Sequence, residues 1–197
     1  MHRARVRAFT WIIVAAMLAA VLAVAAPAFG QEQYGEVVVY RFYNQRTGAH
    51  FYTSSAAERD IVTATWPTIY TYEGPAFSIF EPGWFSSEYE PARASVHRFY
   101  NVVSGSHFYT VSSAEVDIVK SKYPTIFTYD GVGFEAYAAE SDYAPLLPVY
   151  RFYNMKNGSH FYTISAVEKA VVQIQLRDTY HYDGIAFYAV PFGLYVR

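Results

Sequence analysis

The same alternation of apolar and polar positions is written three times along this chain. VVVYRFYN (37–44), SVHRFYN (95–101) and PVYRFYN (148–154) are runs of aromatic and β-branched residues with polar residues interleaved. That composition and period predict a strand in each case. An N-x-x-x-G stretch follows at Asn44–Gly48, Asn101–Gly105 and Asn154–Gly158, where glycine permits the positive φ of a turn. HFYT then predicts a return strand that closes a hairpin. Next, S-x-x-E recurs at Ser55/Glu58, Ser112/Glu115 and Ser165/Glu168. This is the capping-box pattern, in which the serine accepts a helix N–H and the glutamate reaches back to the cap's own N–H. A short helix is expected after it, with Ile61, Val62 and Trp66, then Ile118, Val119 and Tyr123, then Val171, Val172 and Leu176 as its apolar positions. Pro67 and Pro124 stop the first two helices, and Arg177 stands at that place in the third. YTYEGPAFSIF, FTYDGVGFEAY and YHYDGIAFYAV end each unit, either as one bent strand or as a second hairpin about a Glu/Asp-Gly turn.

The frame is rigid. From Arg41, Arg98 and Arg151, the histidines lie nine residues on, Gly74, Gly131 and Gly184 lie 33 on, and Phe77, Phe134 and Phe187 lie 36 on. Only the spacers differ, since the arginines are 57 and then 53 residues apart. A unit of about 45 residues cannot bury its apolar face alone, so three copies must share one core. The expected fold is therefore α+β: three ββαβ(β) repeats (37–80, 95–137 and 148–190) in a single domain over 37–190, with a tail at 191–197. A compact pseudo-threefold antiparallel assembly is favoured, with one short helix per repeat. A β-trefoil-like fold or a small propeller is the alternative, disfavoured by the helices.

Residues 1–30 are of another kind. MHRARVR carries three arginines, the apolar run AFTWIIVAAMLAAVLAVAA has no charge, and Ala26-Pro27-Ala28 follows. This predicts a secretory signal peptide over 1–28, cleaved after Ala28 or Gly30. An uncleaved anchor at the outer face of the membrane is the competing reading, because the apolar run is nearly long enough to span a bilayer. Removal of Arg3, Arg5 and Arg7 leaves 12 basic against 17 acidic residues. No basic stripe is present, so nucleic acid is not an expected partner, and no membrane association is expected after cleavage. The absence of cysteine excludes a lipoprotein anchor, thiolate zinc sites and thiol catalysis.

What the chain has in excess is aromatic residues, with 20 Tyr and 15 Phe. If the hairpin pairs Phe42 with Phe51, the apolar rings gather on one face. Arg41, Tyr43, His50 and Tyr52 then share the other, with Arg98, Tyr100, His107 and Tyr109 and with Arg151, Tyr153, His160 and Tyr162 as their counterparts. A slip of one residue would mix the sets. Such clusters could bind a sugar, with tyrosine rings on its C–H faces and Arg and His as hydrogen-bond donors. Three sites would give avidity for a polymer. They could equally form a buried, mutually satisfied network that fixes strand register. A His50–His107–His160 metal site on a threefold axis is a third possibility, unsupported by any metal-ligand spacing. Catalysis needs one asymmetric constellation, and triplicated residues do not provide it. No catalytic residue, metal or cofactor is assigned. Glu81–Ser95, with Trp84 and Phe85 beside Glu88 and Glu90, is a connecting loop or an aromatic binding tip.

The series Y-R-F-Y-N, G-x-H-F-Y-T, S-x-x-E and Y-x-Y-[DE]-G-x-x-F resembles a secreted bacterial three-repeat domain of unknown function, over about Val38 to Val190. The resemblance implies an extracellular accessory or surface-binding role and supplies no catalytic residues. The expected partner is a polysaccharide or peptidoglycan, or alternatively an extracellular protein. The third copy departs from the pattern at Arg177-Asp178 and at His181, where Thr71 and Thr128 stand in the others.

Overall fold

A computed structural model describes residues 35–81, 90–142 and 144–194. The expected signal peptide, and Trp84, Phe85 and Glu88 of the connecting loop, lie outside the described residues. The elements run β1 (Glu36–Asn44), β2 (His50–Thr53), α1 (Ala56–Thr65), β3 (Tyr70–Phe80), β4 (Arg93–Asn101), β5 (Ser106–Thr110), α2 (Ser113–Lys122), β6 (Phe127–Tyr137), β7 (Leu147–Asn154), β8 (His160–Thr163), α3 (Ala166–Gln175) and β9 (Tyr180–Ala189). The class is α+β: antiparallel sheets with three short helices. The strands form a three-stranded sheet, β2-β1-β3, and a six-stranded sheet, β5-β4-β6-β9-β7-β8. The β6–β9 junction in the larger sheet is a single residue pair, Tyr137 with Tyr188. A bridge between Ser78 and Val190 links the end of β3 to the segment after β9.

The hairpin register is the one the alternation predicts. Phe42 faces Phe51, Arg41 faces Tyr52 and Tyr43 faces His50, and the other two hairpins repeat this. The turns are held by asparagine: Asn44 Oδ1 accepts from the backbone N–H groups of Arg46 and Thr47, and Gly48 N–H donates to Asn44 C=O. Gly48 takes φ +73°, which explains glycine at that position.

Of the two readings for the last part of each unit, the single bent strand is the one observed. β3, β6 and β9 each run unbroken through the Glu/Asp-Gly dipeptide, with register shifts against β1, β4 and β7 on either side of its glycine. The extra residues bulge out, and Gly74, Gly131 and Gly184 take φ between +96° and +108° there.

Two helix expectations are corrected. The glutamate does not complete the capping box. Ser55 Oγ accepts from Glu58 N–H as expected, but Ser55 N–H donates to Thr53 Oγ1, and Thr110 and Thr163 do the same for Ser112 and Ser165. Threonine at the end of the return strand is nearer than a glutamate one turn away, and it frees that carboxylate. α1 and α2 do end where expected, with C-caps Trp66 and Tyr123 directly before Pro67 and Pro124, although proline is not required for that length. α3 lacks one and still has ten residues, ended like α1 by a turn in which Tyr180 N–H donates to Leu176 C=O, as Tyr70 N–H does to Trp66 C=O. Finally, the apolar stripe is narrow. Val62 and Val172 are buried in α1 and α3, but in α2 the buried residue is Val116, and Ile61, Ile118, Trp66 and Tyr123 are exposed. A ten-residue helix lying on one sheet face inserts only a residue or two into it.

Each sheet separates two apolar regions. The helix-side faces hold three small clusters: Phe42/Phe51/Val62, Phe99/Phe108/Val116 and Phe152/Phe161/Val172/Tyr180. The opposite faces contribute to one shared core that includes Val39, Val96, Val149, Phe77, Phe134, Phe187 and the three HFYT tyrosines.

Candidate functional site

The return strands β2, β5 and β8 are sheet edges, which would leave a row of backbone groups unpaired. They all touch one another, and Tyr52, Tyr109 and Tyr162, each about 1% exposed, resolve the problem in a cycle. Tyr52 Oη donates to Tyr162 C=O at 2.7 Å and accepts from Tyr162 N–H at 3.0 Å. Tyr109 does the same for Tyr52, and Tyr162 for Tyr109. The rings stand edge-to-face at 5.6–5.7 Å. Burial raises all three phenols well above their ordinary pKa.

The arginines lie outside this ring of tyrosines and bind across copies. Arg41 reaches Glu168 at 3.0 Å, Arg98 reaches Glu58 at 3.0 Å, and Arg151 reaches Glu115 at 2.9 Å. The glutamates are those of the S-x-x-E motif, and each belongs to the neighbouring copy. Each arginine also meets its own copy's acidic residue before the bulge glycine: Glu73 at 2.8 Å, Asp130 at 3.3 Å and Asp183 at 3.2 Å. These six carboxylates were legible only as cap and turn residues. The signal for their second role was the acid at a fixed distance from each arginine. Burial alone would lower Arg41 and Arg151, but the facing carboxylates outweigh it and raise both.

Each histidine is pressed between copies. His50, His107 and His160 lie 3.4–3.8 Å from Glu73, Asp130 and Asp183, with side chains 12–16% exposed. Their rings meet Phe161, Phe51 and Phe108 of the adjacent copy at 4.8–5.0 Å. Burial, with the nearby arginine second, pushes His107 down to about 4 and His160 down to about 3, so both are neutral at pH 7. The three imidazoles do not converge, and among the described residues no group of three His, Cys, Asp or Glu side chains is placed to hold a metal.

The twelve residues singled out by the repeat therefore divide by depth. Tyr52, Tyr109 and Tyr162 are core. The arginines and histidines form the seams between copies. Tyr43 is half-buried, while Tyr100 and Tyr153 are 36% and 38% exposed. Part of one seam opens as a cleft of about 460 Å³ between the second and third copies, within the range of small-ligand sites, about 300–1,000 Å³. Arg151, Tyr153 and His160 line it together with Glu115, Tyr123 and Asp183. Ring faces beside hydrogen-bonding groups suit an amphipathic ligand.

A family model described as a domain of unknown function (DUF5648) matches residues 38–190, with a second match over residues 23–84. No curated protein and no solved structure matches the chain.

Proposed function

Given that the chain belongs to the DUF5648 family, we propose that it is a secreted, non-catalytic module that binds glycan or cell-envelope polymer at the seams between its repeats. In this reading the three ββαβ units surround a pseudo-threefold axis on the tyrosine cycle, and each seam offers a related surface. The observation that carries it is the cleft between the second and third copies, where Tyr123 and Tyr153 are exposed beside Arg151, His160 and Asp183. Exposed tyrosines can take the C–H face of a sugar, and the polar groups can take its hydroxyls. Substitution of an exposed tyrosine separates binding from folding. Purified protein lacking residues 1–28 is expected to pull down with insoluble peptidoglycan or polysaccharide. Tyr153→Ala should weaken that retention at an unchanged thermal transition. Full retention by the variant would remove the basis of this reading.

An extracellular protein-docking role is the second reading. It is favoured by Ile61, Val167 and Ile174, which are 57–72% exposed on α1 and α3. A blank polysaccharide series, together with a protein partner recovered from culture supernatant, would select it.

A further inference from the structure

The three seams share one plan but differ in what they leave open. Between the third and first copies the ion pair is closed over: the Arg41 and Glu168 side chains are 10% and 7% exposed. Leu176 there packs against the cluster that holds buried Tyr180. Between the second and third copies the matching pair, Arg151 and Glu115, is 17% and 35% exposed. The position of Leu176 is taken by Tyr123, 44% exposed, and the cleft opens beside it.

A second difference lies on the strand that supplies the acid. His181 pairs directly across from Tyr153 in the β7–β9 ladder, where Thr71 pairs with Tyr43 and Thr128 with Tyr100. In the first copy the Thr71 hydroxyl is already engaged by Gln45 Nε2 at 2.7 Å. His181 is exposed and lines the cleft, two residues from Asp183. His181 therefore places an imidazole at the mouth of the second–third seam where the other two copies have threonine. The Arg98–Glu58 pair of the first–second seam is about as exposed, at 20% and 34%, but that seam carries Thr128 and so provides an internal comparison.

Charge narrows the ligand. Within the cleft two carboxylates, Glu115 and Asp183, face the single guanidinium of Arg151, which is hydrogen-bonded to Glu115 and ion-paired with Asp183. An acidic sugar would bring a further negative charge against these carboxylates, and a neutral one would not.

We infer that the cleft between the second and third repeats is the principal ligand site, and that it takes a neutral hexopyranose unit between Tyr123, Tyr153, His181 and Asp183. This rests on the glycan-binding reading and refines it from three equal sites to one dominant site.

Isothermal titration of the protein lacking residues 1–28 tests it, with tetra-N-acetylchitotetraose, cellotetraose, maltotetraose and mannotetraose as neutral probes and tetragalacturonate as the acidic one. At least one neutral probe should bind at one per chain. His181→Thr should weaken it about tenfold or more, the loss expected of one central contact. Threonine fills that place in the other two copies, so the variant should fold unchanged. Thr128→His should add a second, weaker site. Three equal sites, or an unaffected His181→Thr, would overturn the single-site inference and leave glycan binding standing. Tighter binding of tetragalacturonate would overturn the neutral-ligand assignment. A blank response to all five probes would overturn this inference, and only a loss of retention on insoluble peptidoglycan and polysaccharide as well would take the glycan reading with it.

Discussion

Single side chains in this protein serve two strands at once. The Tyr109 hydroxyl accepts from Tyr52 N–H and donates to Tyr52 C=O, so Tyr109→Phe would leave a buried donor and a buried acceptor without partners. Each such orphan costs about 1–3 kcal/mol, so a destabilisation of about 2–6 kcal/mol is expected by chemical denaturation, well beyond an ordinary loss of one hydroxyl. Tyr52→Phe and Tyr162→Phe should cost about the same, because their environments match. The register that places these tyrosines opposite Arg41, Arg98 and Arg151 was legible in the alternation of YRFYN with HFYT. That their hydroxyls would close on one another was not. Nothing local to a strand records which neighbouring backbone its side chain will reach. The same limit applied to Glu58, Glu115 and Glu168: the motif around them is local, and their arginine partners lie in other copies.

At the scale of elements, the bulged strands and the helix entries carry testable strain and support. Gly131 has φ +96° and no heavy atom within 4 Å of where a Cβ would stand. Gly131→Ala should therefore cost only the backbone strain, about 1–3 kcal/mol, with the sheet intact by circular dichroism. Gly133, which has an ordinary φ, would instead press a Cβ to 3.3 Å from the Arg98 Cβ. Helix entry depends on Thr53, Thr110 and Thr163. Thr163→Ala removes the acceptor for Ser165 N–H and should lower stability by about 1 kcal/mol, the usual worth of a cap interaction. The choice between a bent strand and a hairpin at Glu/Asp-Gly could not be made from sequence, since that dipeptide suits a tight turn as well as a bulge. It is decided by pairing along the whole length of β1, β4 and β7.

For the whole molecule, pH acts on the shared interior from both ends. The three core phenols are raised in the folded state, so their contribution is complete below pH 10, the ordinary tyrosine value, and is lost as pH climbs above it. Three coupled groups give a loss of about 4 kcal/mol per pH unit in that range, visible as a steep alkaline unfolding transition. His107 and His160 are lowered, so their contribution is complete above pH 6.5 and is lost as pH falls toward 4 and then 3. Stability should fall by up to about 3 kcal/mol per pH unit below pH 6, and His107→Gln should flatten that slope. The arginine–glutamate seams have one further consequence. Each copy offers a guanidinium on one side and a carboxylate on the other, a heterologous, head-to-tail joint that satisfies itself only when the ring closes. A fragment of two copies would keep one free Arg end and one free Glu end. It should therefore oligomerise at concentrations where the three-copy chain stays monomeric, and a lone copy should gain stability by assembling in threes.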